Sequence, residues 1–493
     1  MRTRSFIGSA FIGSVLIGSL FAVRGSAQSP KPDAKTLAAT GILERLAERT
    51  GVYAVAPGAK VPGFIADASW PGRLPNNWLI GQVGGLYVAP DDHIWIYQRP
   101  RSLTNDEAAE TGATSKDKDG KPVDVFGFAR PNGAIGYCCK PAPSVMEFDA
   151  NGKMLRAWGG PADPGKCKVS DGCYWPAAEH GIFVDHNGFV YLGGSNANAT
   201  PNGSAWASPN GADGVVLKFT KDGKFVMAIG GPNAKGPDSN NTNGGRNGTP
   251  QLYLPADVTV DPATNRMFIS DGYGNRRVVI VDAATGKYIG HFGAYGNNPI
   301  DDKAAADAGV WANDYNKGNL NPAFFRNPVH CARLSKDGFI YVCDRGNDRI
   351  QIFNARDPNL GKPCSNPSGE PGKCGFVKET HVAIRTATQP TLPGSAVSMN
   401  FSTDPQQSCL YVGDNTNQII YILKRDTLEE LGRLGRAGRE TGEFHWLHQV
   451  GVNSHGDLYT GEVDTGKRLQ KFIRFGSEGC SGSGRSEVGG VLQ

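Results

Sequence analysis

Three histidines share one address in this chain. His180 precedes Tyr191 by eleven positions, His330 precedes Tyr341 by eleven, and His448 precedes Tyr459 by eleven. Three neutral imidazoles with an open side opposite them are a donor set for catalytic zinc, and an ion so held polarises a bound oxygen and acidifies a hydroxyl or water. Taken singly, each is more readily a structural side chain; three of nine histidines in register point instead to one shared ion. A second set follows predicted strands: Arg99 closes Ile94-Trp-Ile-Tyr-Gln-Arg99, Tyr273 sits in Asp271-Gly-Tyr-Gly-Asn275, and Arg345 sits in Asp344-Arg-Gly-Asn347. Two guanidiniums beside a metal suit a carboxylate. A phenol near a dication and Arg can be lowered into the range of a general base. Asn275, Arg277, Asn347 and Arg349, by contrast, read as turn-fixing residues of a repeat.

That repeat is what must position them. Its order is strand, Asp-x-x-Gly turn, strand, Asn/Arg turn, strand, Gly turn, strand, clearest over residues 254–293 and again over 327–353. Further copies run over 179–230, 408–435 and 444–475, and an interrupted first copy over 81–158, which makes six. Apolar and polar residues alternate with period two, so each copy forms a four-stranded antiparallel sheet. One such sheet cannot cover its own apolar faces, whereas six packed radially around a channel can. The expected fold is therefore all-β, a six-bladed β-propeller; a β-sandwich is the runner-up and leaves the repeated Asp, Asn and Arg unexplained. The histidines fall on blades two, four and six, with Ala256 at this place in blade three and Gly85 in blade one. Since inner strands face the axis, alternate blades deliver three imidazoles to one channel.

Composition agrees with many short strands and turns: 66 Gly, 32 Pro and 39% hydrophobic residues in 493. The formal charge of +4 falls to about +1 without the first 27 residues, which hold three Arg and no acid, so nothing predicts nucleic-acid binding. Arg2 and Arg4, an apolar run and Gly25-Ser26-Ala27 read as a secretory signal over 1–27, with a membrane anchor as the alternative. Residues 28–69 read as a leader with a short helix, 70–475 as the propeller, and 476–493 as a Ser/Gly-rich tail. Long insertions at 104–131, 195–213, 230–249 and 294–323 read as surface loops. Ten cysteines in an exported chain favour disulfides. Cys167 with Cys173 and Cys364 with Cys374 read as local staples; Cys138 and Cys139 are not expected to pair with each other, and Cys331, Cys343, Cys409 and Cys480 supply two more bridges of open connectivity.

Over residues 70–475 these motifs resemble the peptidyl-α-hydroxyglycine α-amidating lyase (peptidylamidoglycolate lyase) family of NHL-repeat propellers. The sharpest pieces are Gly81-Gln-Val-Gly-Gly-Leu86, Ile96-Tyr-Gln-Arg99, Glu179-His-Gly-Ile182, Asp271-Gly-Tyr-Gly-Asn-Arg-Arg-Val278, Pro328-Val-His330, the stretch from Asp344 to Phe353, and Leu447-His448. The resemblance implies zinc held by His180, His330 and His448, a catalytic Tyr at Tyr273 and functional Arg at Arg99 and Arg345. It implies cleavage of a C-terminal α-hydroxyglycine into a peptide amide and glyoxylate, without a redox cofactor. It also implies a channel calcium (Ca2+) held by the backbone carbonyls of Leu86 and Ile182 and by an Asp, but that position is Gln449, a weaker ligand for a hard cation. Trp446 stands in place of the family's Met near the active site, and Gly274 in place of its Cys after the catalytic Tyr.

The expected partner is a small carboxylate-bearing molecule or a peptide C-terminus, with no nucleic acid and no membrane contact after signal cleavage. The expected chain is a monomer in an extracytoplasmic compartment. A non-catalytic NHL-repeat propeller that binds a protein or glycan through its loops is the alternative. A propeller lactonase would need a carboxylate and Asn cluster around calcium that the sequence does not offer.

Overall fold

The computed structural model describes residues 50–55, 60–104, 106–110, 115–116, 118–119, 121–123, 138–195, 213–232, 238–299, 322–384 and 394–475, with Arg45 and Cys480. The signal segment, nearly all of the short N-terminal helix, most of each long insertion and the tail lie outside them.

Six antiparallel sheets form the blades. Their inner strands are Gln82–Val88, Glu179–Val184, Asp257–Val260, Val329–Leu334, Ala396–Phe401 and Leu447–Val452. Each packs on the inner strand of the next blade, and the sixth returns to the first, so the ring is closed. The hydrophobic core is divided accordingly, with one apolar cluster between each neighbouring pair of blades. Blade three with blade four, for example, buries Phe268, Ile280 and Phe292 against Ala332, Val342 and Phe353. This is the covering of both sheet faces that the period-two pattern demands.

Two boundaries differ from the expectation. Residues before position 70 are part of the propeller: Gly63–Ala66 pairs antiparallel with Leu469–Phe475 as the outer strand of blade six, and Val52–Ala54 adds a fifth strand to blade five. The copy over 444–475 has only three strands of its own, and the missing edge is supplied from the other end of the chain. Blade five also begins earlier than its copy at 408, at Ala396–Phe401, and blade four ends later, at Phe376–His381 beyond the 364–374 loop. The closing strand carries Phe64, fully buried and edge-on to Tyr411 at 6.0 Å between ring centroids. Phe64→Ala is expected to lower unfolding stability by about 3–5 kcal/mol, read from the denaturant midpoint.

The turn grammar is structural, as expected. Asp271 Oδ2 accepts from Asn275 Nδ2 at 2.8 Å and Arg277 Nε at 3.0 Å, while the rest of the buried Arg277 guanidinium donates to the carbonyls of Ser239, Asn241 and Gln251. Asp344, Asn347 and Arg349 repeat this in blade four. Cys167–Cys173 and Cys364–Cys374 are bonded as local staples. Cys331–Cys343 bridges facing residues of the first two strands of blade four, and Cys409–Cys480 ties blade five to the chain beyond blade six. Contrary to expectation Cys138 and Cys139 bond each other, and the other eight cysteines are mutually paired. Five disulfides fit folding in an oxidising compartment. Among the described residues no helix is long and apolar enough to cross a membrane.

Candidate active site

His180, His330 and His448 converge on the channel axis. Their ring centroids form a near-equilateral triangle with sides of 4.9, 4.8 and 4.7 Å. All three are buried, and their ligand atoms lie within 4.8 Å of one another, the one such His, Cys or carboxylate grouping among the described residues.

A local irregularity aims them. In blades two, four and six the pairing of the inner strand with its neighbour slips between Glu179 and Ile182, between Val329 and Cys331, and between Leu447 and Gln449. The histidine lies inside each slip, at a β-bulge that turns its side chain into the channel. Blades one and five carry the same slip around Gly84 and Val397, whereas blade three pairs without one from Asp257 to Val260. The non-histidine blades supply backbone instead. His180 Nδ1 donates to the Ala256 carbonyl at 2.7 Å, and the Gly84 backbone holds His448. His330 turns its Nδ1 toward the Val397 backbone without a fully aligned bond. A carbonyl can only accept, so the proton of His180 sits on Nδ1 and its Nε2 lone pair faces the axis. Burial and the nearby guanidiniums press the His180 pKa down to about 3 and hold His330 and His448 well below the usual imidazole range.

The donor set fits zinc. Two nitrogens each about 2 Å from one tetrahedral ion stand about 3.3 Å apart, and His330 Nε2 lies 3.1 Å from His448 Nε2. The three imidazoles thus turn ring nitrogens toward one point on the axis, where such an ion would sit.

Tyr273 closes over this triangle. Its Oη is 2.9 Å from His330 Nε2, 3.2 Å from His180 Nε2, and accepts from Arg345 at 3.3 Å. Two glycines permit the approach of its loop: a Cβ on Gly272 would stand 1.8 Å from the Val329 carbonyl oxygen, and one on Gly274 would stand 2.0 Å from the Tyr253 ring. Burial outweighs the two guanidiniums and raises the Tyr273 phenol above its ordinary pKa, so Arg99 and Arg345 do not by themselves produce the lowered value the sequence suggested. Arg345 also donates to Asn415 Oδ1 at 3.1 Å, and its Nε is buried without a partner. Arg99 is braced by the Glu179 carbonyl and Gln82 Oε1, each at 2.7 Å.

Arg99, Tyr273, Arg345 and His448 share a pocket of about 350 Å³. The sequence placed Arg99, Tyr273 and Arg345 just after the second strands of their blades, but the same rule holds for the other three blades and was not extended to them. Arg99, Ser195, Tyr273, Arg345, Asn415 and Asp464 come from six different blades, each at or within two residues of the end of the second strand. Aligning the repeats on the second strand would have revealed Ser195, Asn415 and Asp464. A larger cavity of about 610 Å³ opens at the other ends of the inner strands and is lined by Leu86 but not by His180, His330, His448, Tyr273, Arg99 or Arg345.

The residues expected to hold calcium do not fit that ion. Leu86 and Ile182 lie on the inner strands of blades one and two. The buried Gln449 amide already donates to the Gly84 carbonyl at 3.0 Å and accepts from Ser398 Oγ at 3.3 Å. The inner-strand carboxylate of blade three, Asp257, is paired with Arg333 at 2.5 Å. A hard dication finds no free carboxylate among these.

No family model matches the chain. Residues of the chain are 30% identical over 291 positions to peptidyl-glycine alpha-amidating monooxygenase B of Xenopus laevis, covering 59% of this chain and 24% of that protein. They are 27% identical over 215 positions to NHL repeat-containing protein 3 of Mus musculus, covering 43% and 45%. The chain thus spans a quarter to a half of the length of these relatives. Among solved structures, the streptogramin B lyase structure aligns over 84% of this chain and 98% of its own at 12% identity, with a TM-score of 0.39. The WD40 β-propeller domain of Doa1 aligns over 86% and 97% at 9% identity, with a TM-score of 0.36. The chain is a six-bladed β-propeller with low-identity relatives named for NHL repeats and for peptide amidation.

Proposed function

We propose that the chain is a zinc-dependent carbon–nitrogen lyase that splits a C-terminal α-hydroxyglycine, or a similar carbinolamide, into an amide and glyoxylate. The observation that carries this reading is the placement of Tyr273 Oη within hydrogen-bond reach of two channel imidazoles and of Arg345. His180, His330 and His448 would hold the ion through Nε2, and zinc bound there supplies Lewis-acid polarisation and a local double positive charge.

The remaining work falls to side chains of this chain. Arg99 and Arg345, both in the pocket wall, orient the substrate carboxylate and bring its hydroxyl to Tyr273. Tyr273, as the phenolate that a double positive charge held beside Oη would favour over the neutral phenol, takes the hydroxyl proton at Oη, the C–O bond becomes a carbonyl, and the N–Cα bond breaks with its electron pair going to nitrogen. The nitrogen gains one proton for the one the hydroxyl lost, so no oxidant or reductant is required. Asn415 fixes the Arg345 fork, and Gln82 fixes that of Arg99.

The amidating name of one relative and the resemblance of the motifs around these His, Tyr and Arg to the amidating-lyase family support this assignment; the NHL-repeat relative favours the second reading, a propeller that only binds. Turnover separates them. The zinc-loaded chain is expected to release glyoxylate from an α-hydroxyglycine peptide in step with its amide, whereas intact peptide after prolonged incubation leaves only the binding reading. The five disulfides and the apolar N-terminal segment support an extracytoplasmic, secreted or periplasmic location, and we infer a monomer that contacts neither nucleic acid nor membrane.

A further inference from the structure

Blade six gives the pocket two side chains that the reaction above does not use. Trp446 lines it immediately before the strand that bears His448, and Asp464 lines it just past the second strand. Trp446 is half-buried and holds a left-handed backbone (φ 61°), a conformation that a bulky residue adopts only when its surroundings impose it. Here they do. The flanking amides are pinned, His445 N donating to Glu462 Oε2 at 3.2 Å and Leu447 N to Gln418 Oε1 at 3.0 Å, and the Trp446 carbonyl accepts from Val463 N at 3.0 Å. That last bond ties the two pocket segments of blade six together.

Asp464 is exposed and has no hydrogen-bond or ion-pair partner among the described residues, while its charge is felt at the Tyr273 phenol. None of the cations around it is paired with it. Lys467 pairs with Glu107 at 2.6 Å, Arg468 with Glu462 at 2.9 Å, and Arg439 donates to the Thr465 carbonyl and contacts His445. The pocket wall therefore carries both charges, the guanidiniums of Arg99 and Arg345 and, from blade six, a carboxylate with no ion-pair partner among the described residues together with an indole.

We propose that Trp446 and Asp464 form a subsite for the substrate residue preceding the reacting glycine, and that it takes a basic side chain, the cation lying on the indole and paired with the carboxylate. The proposal rests on the lyase reading for which end of the substrate meets Arg99 and Arg345. A ligand anchored there by its carboxylate extends its preceding residue toward the pocket rim, where an acidic side chain meets repulsion and a basic one attraction.

Binding reads the subsite apart from turnover. Zinc-loaded protein carrying Tyr273→Phe is titrated by calorimetry with three α-hydroxyglycine peptides differing only in Arg, Gln or Glu before the terminal residue, and the otherwise wild-type chain is assayed for glyoxylate on the same three. The Arg peptide is expected to bind about tenfold more tightly than the Gln peptide, and the Glu peptide more weakly than either. Asp464→Asn brings Arg and Gln within about twofold, Asp464→Glu restores the difference, and Trp446→Ala weakens the Arg peptide severalfold while Trp446→Phe largely retains it. Turnover with equal affinity for Arg and Glu overturns the subsite and leaves the lyase. An Arg preference without glyoxylate overturns the lyase and leaves the subsite, and no binding of any peptide overturns both.

Discussion

Replacing His330 with Ala is expected to remove metal and turnover together while leaving the propeller folded. Perturbing the groups behind a metal ligand already costs 10–100-fold in affinity, so deleting one of three ligands is expected to cost more than about a hundredfold. Zinc per chain after dialysis, measured by elemental analysis, should fall from about one to near zero. Glyoxylate release should fall below detection in the same preparation. The fold survives because the blades are held by six apolar interfaces and five disulfides, and an unchanged circular dichroism spectrum checks this. The three neutral rings also predict the converse. An ion bound by all three rings binds only the folded chain, so adding zinc to stripped wild-type protein should raise its melting temperature, and adding it to the His330→Ala variant should not. Full zinc retention by the variant would remove the basis for the shared site.

Tyr273→Phe is the complementary case, with the ion kept and the chemistry lost. The substitution deletes only Oη, the atom within reach of His180, His330 and Arg345. Metal content is expected to match wild type, substrate affinity to change little because Arg99 and Arg345 remain, and kcat to fall about 10²- to 10⁴-fold, the range for a positioned proton acceptor. A variant that keeps kcat within a few fold would assign the proton to another group. A variant that loses zinc as well would make Tyr273 part of the metal's surroundings and not a separate reactant.

Much of this arrangement is readable from residue order because the repeat is regular. An eleven-residue offset from a tyrosine placed His180, His330 and His448 at one address, and a propeller converts one address into one point on the axis. The Asp271, Asn275 and Arg277 turn was equally legible, since each group satisfies another within a few positions. What was hidden depended on distance along the chain or on backbone geometry. The strand Gly63–Ala66 looks like leader because its partner Leu469–Phe475 lies at the far end of the sequence. The inner strand Ala396–Phe401 is followed by Ser402-Thr-Asp-Pro-Gln-Gln407, without the Gly that closes the corresponding turns of blades two, four and six at Gly188, Gly338 and Gly456. The bulges that aim the histidines leave no residue signature, for Gly84 and Val397 occupy the same slip without being ligands. The rim residues Ser195, Asn415 and Asp464 escaped because their types differ from blade to blade while their position does not.

The account stands on one ion shared by three imidazoles, and X-ray absorption at the zinc edge of the purified chain tests it most directly. The expected spectrum has three nitrogen scatterers at about 2.0 Å with the outer-shell pattern of imidazole, completed by one oxygen. A first shell containing sulfur, a six-oxygen shell or a single histidine nitrogen would place the metal elsewhere and contradict the channel site.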